Sequence, residues 1–204
     1  MPAHFDFPSS IYLPLAVGFF GLGTGYLIYF SQELFGWPPR DEQVNFATGM
    51  WGIWMPGFMQ FLTGVYLFVG LTWFDVFKNN PTLYAAALAF TAYGVHWFAI
   101  GINRLRGADP RPNGFMAIAF TIVSVLGLVV FFRVGDWPVG LLFIGLTLIY
   151  VSDVFASLRG VFRDTVSRLG ERSLGFWHLV TGLWLMYLTW ATTLDFANHM
   201  RLPV

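Results

Sequence analysis

Apolar residues in this 204-residue chain are gathered into six long runs separated by short polar intervals. A helix needs about 20 mostly apolar residues to cross the roughly 30 Å hydrocarbon layer of a membrane. Each run satisfies this length, so the pattern predicts six transmembrane helices. The predicted spans are Ile11 to Phe30, Phe46 to Thr72, Leu83 to Asn103, Gly114 to Phe132, Trp137 to Ala156 and Leu174 to Leu194.

The intervals between the runs carry most of the charge and many turn-forming residues, as in "GWPPRDEQ", "KNNPT", "GADPRPNG" and "VGDWP", and they read as loops. The chain is 56% hydrophobic and 11% charged, with a mean hydropathy of +0.62, which is too apolar for a soluble domain of this size. We therefore expect an all-α membrane protein, in which residues 1–204 form one compact six-helix bundle.

Short internal similarities suggest how the bundle is arranged. "GVHW" in the third predicted helix is echoed by "GFWH" in the sixth, which fits two inverted three-helix halves. Gly21 and Gly25 form a GxxxG spacing in the first helix. Such spacing lets helix backbones approach closely, within the bundle or between subunits.

Lysines and arginines are divided unevenly between the two sets of loops. Eight of the eleven follow helices one, three and five. Because cytoplasmic loops carry the excess of basic residues, we expect this set to be cytoplasmic, with both termini outside the inner membrane. The first set is Arg40, Arg104, Arg106, Arg111, Arg159, Arg163, Arg168 and Arg172, and the opposite set is Lys78, Arg133 and Arg201.

Composition also narrows the chemistry. A formal net charge of zero gives no reason to expect a nucleic-acid partner, and the absence of cysteine excludes disulfides, thiolate metal sites and a cysteine nucleophile. The sequence has no Ser/His/Asp arrangement, no histidine pair at metal-binding spacing and no phosphate-binding loop. We expect neither an enzyme nor a protein that binds a metal or cofactor. The N-terminus "MPAHFDFPSS" has no basic region typical of a cleaved signal peptide.

The segment "INRLRGADPRPNGFMAIAF" resembles the link between the third and fourth helices in the AmiS/UreI family of urea and short-chain amide channels. The segments "VNFATG" (44–49) and "GDW" (135–137) resemble that family's entries to helices two and five. The resemblance extends over nearly the whole chain and implies six helices, outside termini and a homo-hexamer. The matching positions in the first segment are Ile102, Asn103, Gly107, Asp109, Arg111 and Pro112.

A second resemblance is to the acetate uptake permeases, another family of six-helix membrane proteins. It is carried by "PLAVGFFGLGT" in helix one and "LAFTAYGVHWF" in helix three. Those permeases usually begin helix one with Asn-Pro-Ala-Pro and tend to have inside termini. This chain has Ile11, Tyr12, Leu13 and Pro14 at the corresponding positions. We therefore rank the amide and urea channels first and keep acetate as the alternative.

A channel for a small neutral solute needs flat apolar faces and a few polar partners along its wall. Tyr93 and Trp97 lie one turn apart on helix three, and the first family carries pore-facing aromatics at these positions. The second resemblance places a constriction tyrosine at Tyr93, with Phe20 and Leu146 beside it. The first family carries tryptophans on helix five that this chain lacks. The sequence therefore leaves open whether urea is the solute.

Polar residues inside the predicted spans are further candidates, because they are costly in a membrane. Gln60 follows Pro56 by one turn, and a proline releases a backbone carbonyl from the helix, so both can line a pore or serve a helix contact. We expect His96 and His178 to stay neutral and to hydrogen-bond across helices. Thr181 stands where the first family carries a glutamate on helix six.

The sequence thus predicts a membrane channel for passive uptake of a small neutral solute such as urea or a short-chain amide. An acetate or monocarboxylate permease and a non-transporting structural subunit are the alternatives. Acid-opened channels of the first family sense pH with histidines in outside loops. The loops predicted to lie outside have none, and His4 and His199 lie in terminal segments. We therefore expect a passage that stays open over about pH 5 to 8.

Overall fold

A computed structural model describes residues 14–74, 77 and 79–204. Within these residues it contains six helices, one at each predicted span, which confirms the predicted fold class. The predictions that involve Ile11, His4 and Lys78 lie outside the described residues. The helices are α1 (Leu15–Phe35), α2 (Glu42–Thr72), α3 (Leu83–Arg106), α4 (Arg111–Arg133), α5 (Trp137–Ser157) and α6 (Asp164–Asn198).

Several helices are longer than their apolar runs. Helix α2 begins at Glu42, because the Asp41 side chain caps it by accepting a hydrogen bond from the Val44 backbone N–H at 2.8 Å. Helix α6 begins at Asp164 and not at Leu174. A hydropathy pattern detects only the apolar part of a helix, so polar turns that continue it beyond the membrane are missed.

Helix α2 changes geometry where the sequence predicts a disturbance. Residues Ile53–Phe58 form a π-helical turn that contains Pro56. Proline lacks the N–H that an α-helix requires, and a wider turn accommodates its ring. Gly25 of α1 faces this ring, since a Cβ at Gly25 would lie 2.6 Å from Pro56 Cγ. Helices α1 and α2 therefore approach closely at the π turn.

The helices pack in a pattern that repeats between the two halves of the chain. Helix α2 contacts α1 and α3, and α5 contacts α4 and α6 in the same way. The halves are joined mainly by α1 against α6, with a smaller contact between α3 and α4. Three fully buried tyrosines, Tyr26, Tyr93 and Tyr150, come from α1, α3 and α5 and mark the centre of the bundle.

Helices α2 to α5 are long and apolar enough to cross a membrane, by length and composition. Large apolar side chains also cover the outside of the bundle, as with Trp54, Ile122 and Leu183, which are 55%, 67% and 57% exposed. An apolar exterior of this kind suits a lipid environment. The chain is an all-α, multi-pass membrane protein.

The loops that carry most of the arginines lie at one end of the bundle. Arg40, in the loop after α1, pairs with Glu171 of α6 at 2.6 Å. Arg159, in the loop after α5, pairs with the same carboxylate at 3.1 Å. Gly107, after α3, lines the same cavity as these residues. The prediction that these three loops share a face is confirmed, whereas the side of the membrane on which they lie stays a prediction.

Candidate functional site

A cavity of about 300 Å³ opens among the loops that follow α1, α3 and α5. Its wall is built by α1, α3, α5 and α6 and is rich in polar and charged side chains. We call it the polar cavity. Its deeper lining includes Tyr26, Glu33, His96, Trp97, Arg104, Tyr150, Asp153 and His178.

A second cavity of about 430 Å³ lies toward the opposite end of the bundle, beside Asn80, Asp136 and the C-terminal Val204. Most of its lining is aliphatic or aromatic, so we call it the apolar cavity. Its deeper lining includes Phe19, Leu22, Gln60, Phe90, Tyr93 and Leu146.

The two cavities are separated by side chains in the middle of the bundle, which we call the central layer. On each of three helices, one residue faces the apolar cavity and another residue, about one turn along the helix, faces the polar cavity. One turn spans about 5.4 Å. The rings of Tyr93 and Tyr150, which face different cavities, are stacked with their centroids 5.6 Å apart. This central layer consists of Leu22 and Tyr26 on α1, Tyr93 and Trp97 on α3, and Leu146 and Tyr150 on α5.

Several buried polar atoms in and around the central layer have no hydrogen-bond partner among the described residues. They are the Tyr26 hydroxyl, Trp97 Nε1 and His96 Nε2 on the polar side, and both amide atoms of Gln60 on the apolar side. Leaving a buried polar atom without a hydrogen bond costs free energy. Such atoms are therefore able to hydrogen-bond a water molecule or a small polar solute. The Tyr93 hydroxyl differs, because it hydrogen-bonds Ser124 Oγ at 2.9 Å.

The structure brings together five of the seven residues proposed from the sequence. Tyr93, Leu146 and Gln60 line the apolar cavity. Trp97 and His96 line the polar cavity. The expectation that His96 hydrogen-bonds across helices is met by the Tyr150 hydroxyl of α5, which lies 3.2 Å from His96 Nδ1.

Phe20 and Thr181 line neither cavity. Phe20 is 42% exposed on the outside of α1, whereas Phe19 is 4% exposed and lines the apolar cavity. A shift of one residue turns a side chain by more than a quarter of a helical turn, so the proposed position must move to Phe19. Thr181 is 2% exposed and packs against Gly145 of α5, which makes it a helix contact.

A buried hydrogen-bonded pair in the polar cavity was not indicated by the sequence pattern. His178 Nδ1 lies 2.5 Å from Glu33 Oε2, and the two side chains are 7% and 6% exposed. Glu33 follows the predicted end of helix one at Phe30 and therefore reads as a loop residue. Helix α1 in fact continues to Phe35, which carries Glu33 into the bundle against α6. The sequence analysis missed this contact because it ended the first helix too early.

Arg104 also lines the polar cavity, although the sequence pattern predicts only a charged loop at this position. It is part of α3 and donates hydrogen bonds to Gln32 Oε1 at 2.7 Å and Asn45 Oδ1 at 3.2 Å. Its guanidinium lies over the Tyr29 ring, 4.8 Å from the centroid. These contacts fix a positive charge where the polar cavity opens toward the loops.

The motif residues Asp109 and Arg111 build the loop between α3 and α4. Asp109 Oδ1 accepts hydrogen bonds from the Arg111 backbone N–H at 2.9 Å and from its Nε at 3.0 Å. The Arg111 side chain, followed by its backbone N–H, holds the pKa of the Asp109 carboxyl at about 2. This part of the family-like motif has a structural role in starting α4.

Asp136 lies where the apolar cavity opens. It caps α5 by accepting a hydrogen bond from the Val139 backbone N–H at 3.1 Å. Burial raises the pKa of Asp136, and the hydrogen bond from Val139 opposes this shift. A carboxyl group that is more easily protonated than usual therefore stands at this end of the apolar cavity.

No family model matches the sequence. No curated protein matches it either. Among solved structures, the fold is similar to one described as the bacterial acetate channel SatP, with a TM-score of 0.74. The similarity covers 96% of this chain and 99% of that chain, at 15% sequence identity. At this identity the likeness shows a shared fold.

Proposed function

We propose that this protein is a membrane channel that carries a small solute between the polar and apolar cavities through the central layer. The observation that carries the proposal is the end-to-end placement of two cavities within one chain, with the central layer between them. The fold shared with the acetate channel SatP supports it, because the similarity covers nearly all of both chains.

The chemistry of the central layer favours a solute that crosses without charge. Its six residues are aliphatic or aromatic, and none carries a fixed charge. A carboxylate ion would lose its hydration there with no cation to compensate. Gln60 offers one donor group and one acceptor beside the layer. Urea and short-chain amides present the complementary donor and acceptor, so they remain the first candidates.

Undissociated acetic acid is the second candidate solute. It also presents a donor and an acceptor on one edge, and it matches the size of the amides. Two observations favour it: the fold similarity to SatP and the sequence resemblance of helices one and three to acetate permeases. The acid form crosses the same neutral layer, whereas acetate must first take up a proton.

Osmotic swelling of liposomes that contain the purified protein tests the proposal. We expect faster swelling in acetamide and urea than in protein-free liposomes. Leu146→Trp should slow the passage, because Leu146 is 1% exposed and the larger ring would fill the central layer. Ile144→Trp is the matched control, since Ile144 is 37% exposed on the outside of the same helix.

The assay also separates the alternatives. Swelling in acetate alone, increasing as the pH is lowered, would favour the acid permease. Unchanged swelling with all three solutes would favour a structural subunit without a passage. Equal loss of passage in the Leu146 and Ile144 variants would contradict a route through the central layer.

The cavities lie inside a single chain, so each copy in an oligomer would hold its own passage. We keep the homo-hexamer as part of the proposal. Apolar side chains on the outside of α2, such as Trp51, Trp54 and Phe58, offer a surface for lipid or for a neighbouring copy. The proposed location is the inner membrane, with both termini outside.

A further inference from the structure

One side of helix α6 points away from the bundle along most of its length. Four exposed apolar side chains follow one another at intervals of seven residues on this side, and two helical turns bring such residues to the same face. They are Leu169, Phe176, Leu183 and Trp190, which are 61%, 46%, 57% and 68% exposed. We call this face the outer stripe. Since most of it lies within the predicted membrane span, the outer stripe is the lipid-facing side of α6.

Two exposed arginines stand at the end of the outer stripe nearest the arginine-rich loops. Arg172 lies between Leu169 and Phe176, and Arg168 lies one turn before Arg172. At a rise of 1.5 Å per residue, the two arginines stand about 3 and 9 Å beyond Leu174, where the predicted span begins. The lipid headgroups occupy about 5 to 8 Å on each side of the hydrocarbon layer. Both guanidinium groups therefore lie at the level of the lipid phosphates.

The charges of these two arginines are not neutralised by the protein. Within the part of the chain that the structure describes, neither Arg168 nor Arg172 forms an ion pair or a side-chain hydrogen bond. The adjacent carboxylate of Glu171 is already paired with two arginines from the loops after α1 and α5. Asp164, one turn before Arg168, makes no ion pair with it. Two unpaired positive charges thus remain on a lipid-facing surface.

The chemistry of this surface matches an anionic phospholipid. A guanidinium group presents planar N–H donors that fit two oxygens of one phosphate. The acyl chains of the same lipid would cover the apolar residues that follow along the stripe. A zwitterionic lipid has the same phosphate, but its ammonium group cancels the charge. Burying both arginines against a second protein surface would carry a large desolvation cost, so a lipid is the favoured occupant.

We infer that the outer stripe of α6 holds an anionic phospholipid, with its phosphate bound by Arg168 and Arg172 and its acyl chains packed on Phe176. The site is separate from both cavities and does not depend on which solute the protein carries. The predicted orientation places it in the cytoplasmic leaflet, whose anionic lipids attract basic residues.

Lipid-quenching fluorescence tests the inference directly. The chain has no cysteine, so Phe176→Cys carries a single fluorophore beside Arg172. The labelled protein is placed in phosphatidylcholine bilayers, and the quenching by phosphatidylglycerol with brominated acyl chains is compared with that by brominated phosphatidylcholine. An arginine near an anionic surface contributes about 1 kcal/mol, which is about a fivefold preference. Arg168→Gln and Arg172→Gln should each reduce the preference for phosphatidylglycerol about fivefold, and the double variant should remove it.

The matched control is a fluorophore at Phe115→Cys on α4. Phe115 is 66% exposed and lies, like Phe176, just inside its predicted span at the arginine-rich end. The arginine one turn before it, Arg111, is bound to Asp109, with its Nε 2.9 Å from Oδ2. Since this charge is already paired, the fluorophore at Phe115 should be quenched equally by the two brominated lipids. The control separates a lipid held on α6 from a general attraction to the arginine-rich face.

Salt provides a second measurement that needs no further substitution. At about 1 M salt the screening length falls to about 3 Å, and the preference at Phe176 should decrease severalfold. Equal quenching by the two lipids at Phe176, or a preference that persists in the double variant, would overturn the inference. An equal preference for phosphatidylglycerol at Phe115 would also overturn it. Weak quenching by both lipids at Phe176 would show that a second copy covers the stripe, and the lipid site would be wrong.

Discussion

Tyr93 lies on α3 in the central layer, between the two cavities. It is 2% exposed, lines the apolar cavity and stacks on Tyr150 across the central layer. Its hydroxyl donates to Ser124 Oγ, and the Ser124 hydroxyl in turn donates to the Phe120 carbonyl at 2.8 Å. In the proposed channel this ring therefore stands in the route of the solute, while the hydroxyl holds the ring in position.

Replacing Tyr93 separates these two roles. Tyr93→Ala should increase the flux of propionamide relative to acetamide, because one ring of the central layer is removed. The loss of a buried aromatic side chain costs about 3 to 5 kcal/mol, so folded protein must be checked by gel filtration. Tyr93→Phe keeps the ring, loses one hydrogen bond of about 1 kcal/mol and should leave the size preference unchanged.

A different result would give Tyr93 another role. If Tyr93→Ala reduces the amount of folded protein without altering the ratio of the two fluxes, Tyr93 is a packing residue and the route lies elsewhere. A change of size preference in Tyr93→Phe would show that the hydroxyl itself contacts the solute.

At the scale of the helices, the cavities depend on how closely α2 and α3 approach. Gly94 of α3 lies against the backbone of α2, since a Cβ at this position would be 2.5 Å from Phe61 N and 2.8 Å from Phe61 Cα. Backbone atoms cannot rotate away as a side chain can. Only a glycine allows this spacing, which sets how far Tyr93 and Gln60 stand from each other.

Gly94→Ala should therefore separate α2 from α3. Forcing an extra methyl group into a packed interface costs about 1 to 3 kcal/mol, and we expect a lower melting temperature in detergent. Gly182→Ala is the matched control in α6, because its Cβ would lie 3.2 Å from Tyr26 Cβ and 3.3 Å from Leu27 side-chain atoms. Equal destabilisation by the two variants would contradict a special role for the α2–α3 contact.

At the scale of the whole molecule, the direction of insertion decides which cavity faces the cytoplasm. The distribution of arginines predicts that the polar cavity is cytoplasmic and that the C-terminus is outside. The chain has no cysteine, so a single introduced thiol reports the exposure of one position.

We expect Asn198→Cys to react with a membrane-impermeant maleimide in intact cells, because Asn198 is exposed near the C-terminus. Val161→Cys, in the loop after α5, should react only after the cells are permeabilised, since Val161 is 70% exposed on the arginine-rich face. The reverse labelling pattern would invert the assignment and favour the acetate permease.

Local patterns along the chain were enough to predict the number of helices, the position of most spans and the shared face of the arginine-rich loops. These features follow from local physics, because about 20 apolar residues must cross the membrane as a helix and basic residues gather in the loops on one side. The sequence also indicated Tyr93, Trp97, Leu146, Gln60 and His96 as wall residues, since residue type and helical spacing are visible in a linear chain.

The side of each helix that faces the cavities depends on how the helices pack together. The choice between Phe19 and Phe20 depends on the rotation of α1 against its neighbours, which apolar patterning cannot fix when every face of a helix is apolar. The pair of Glu33 and His178 joins residues from the first and last helices, and its existence depends on α1 and α6 packing side by side. Contacts between residues so distant along the chain arise from the folded bundle, because no local pattern records them.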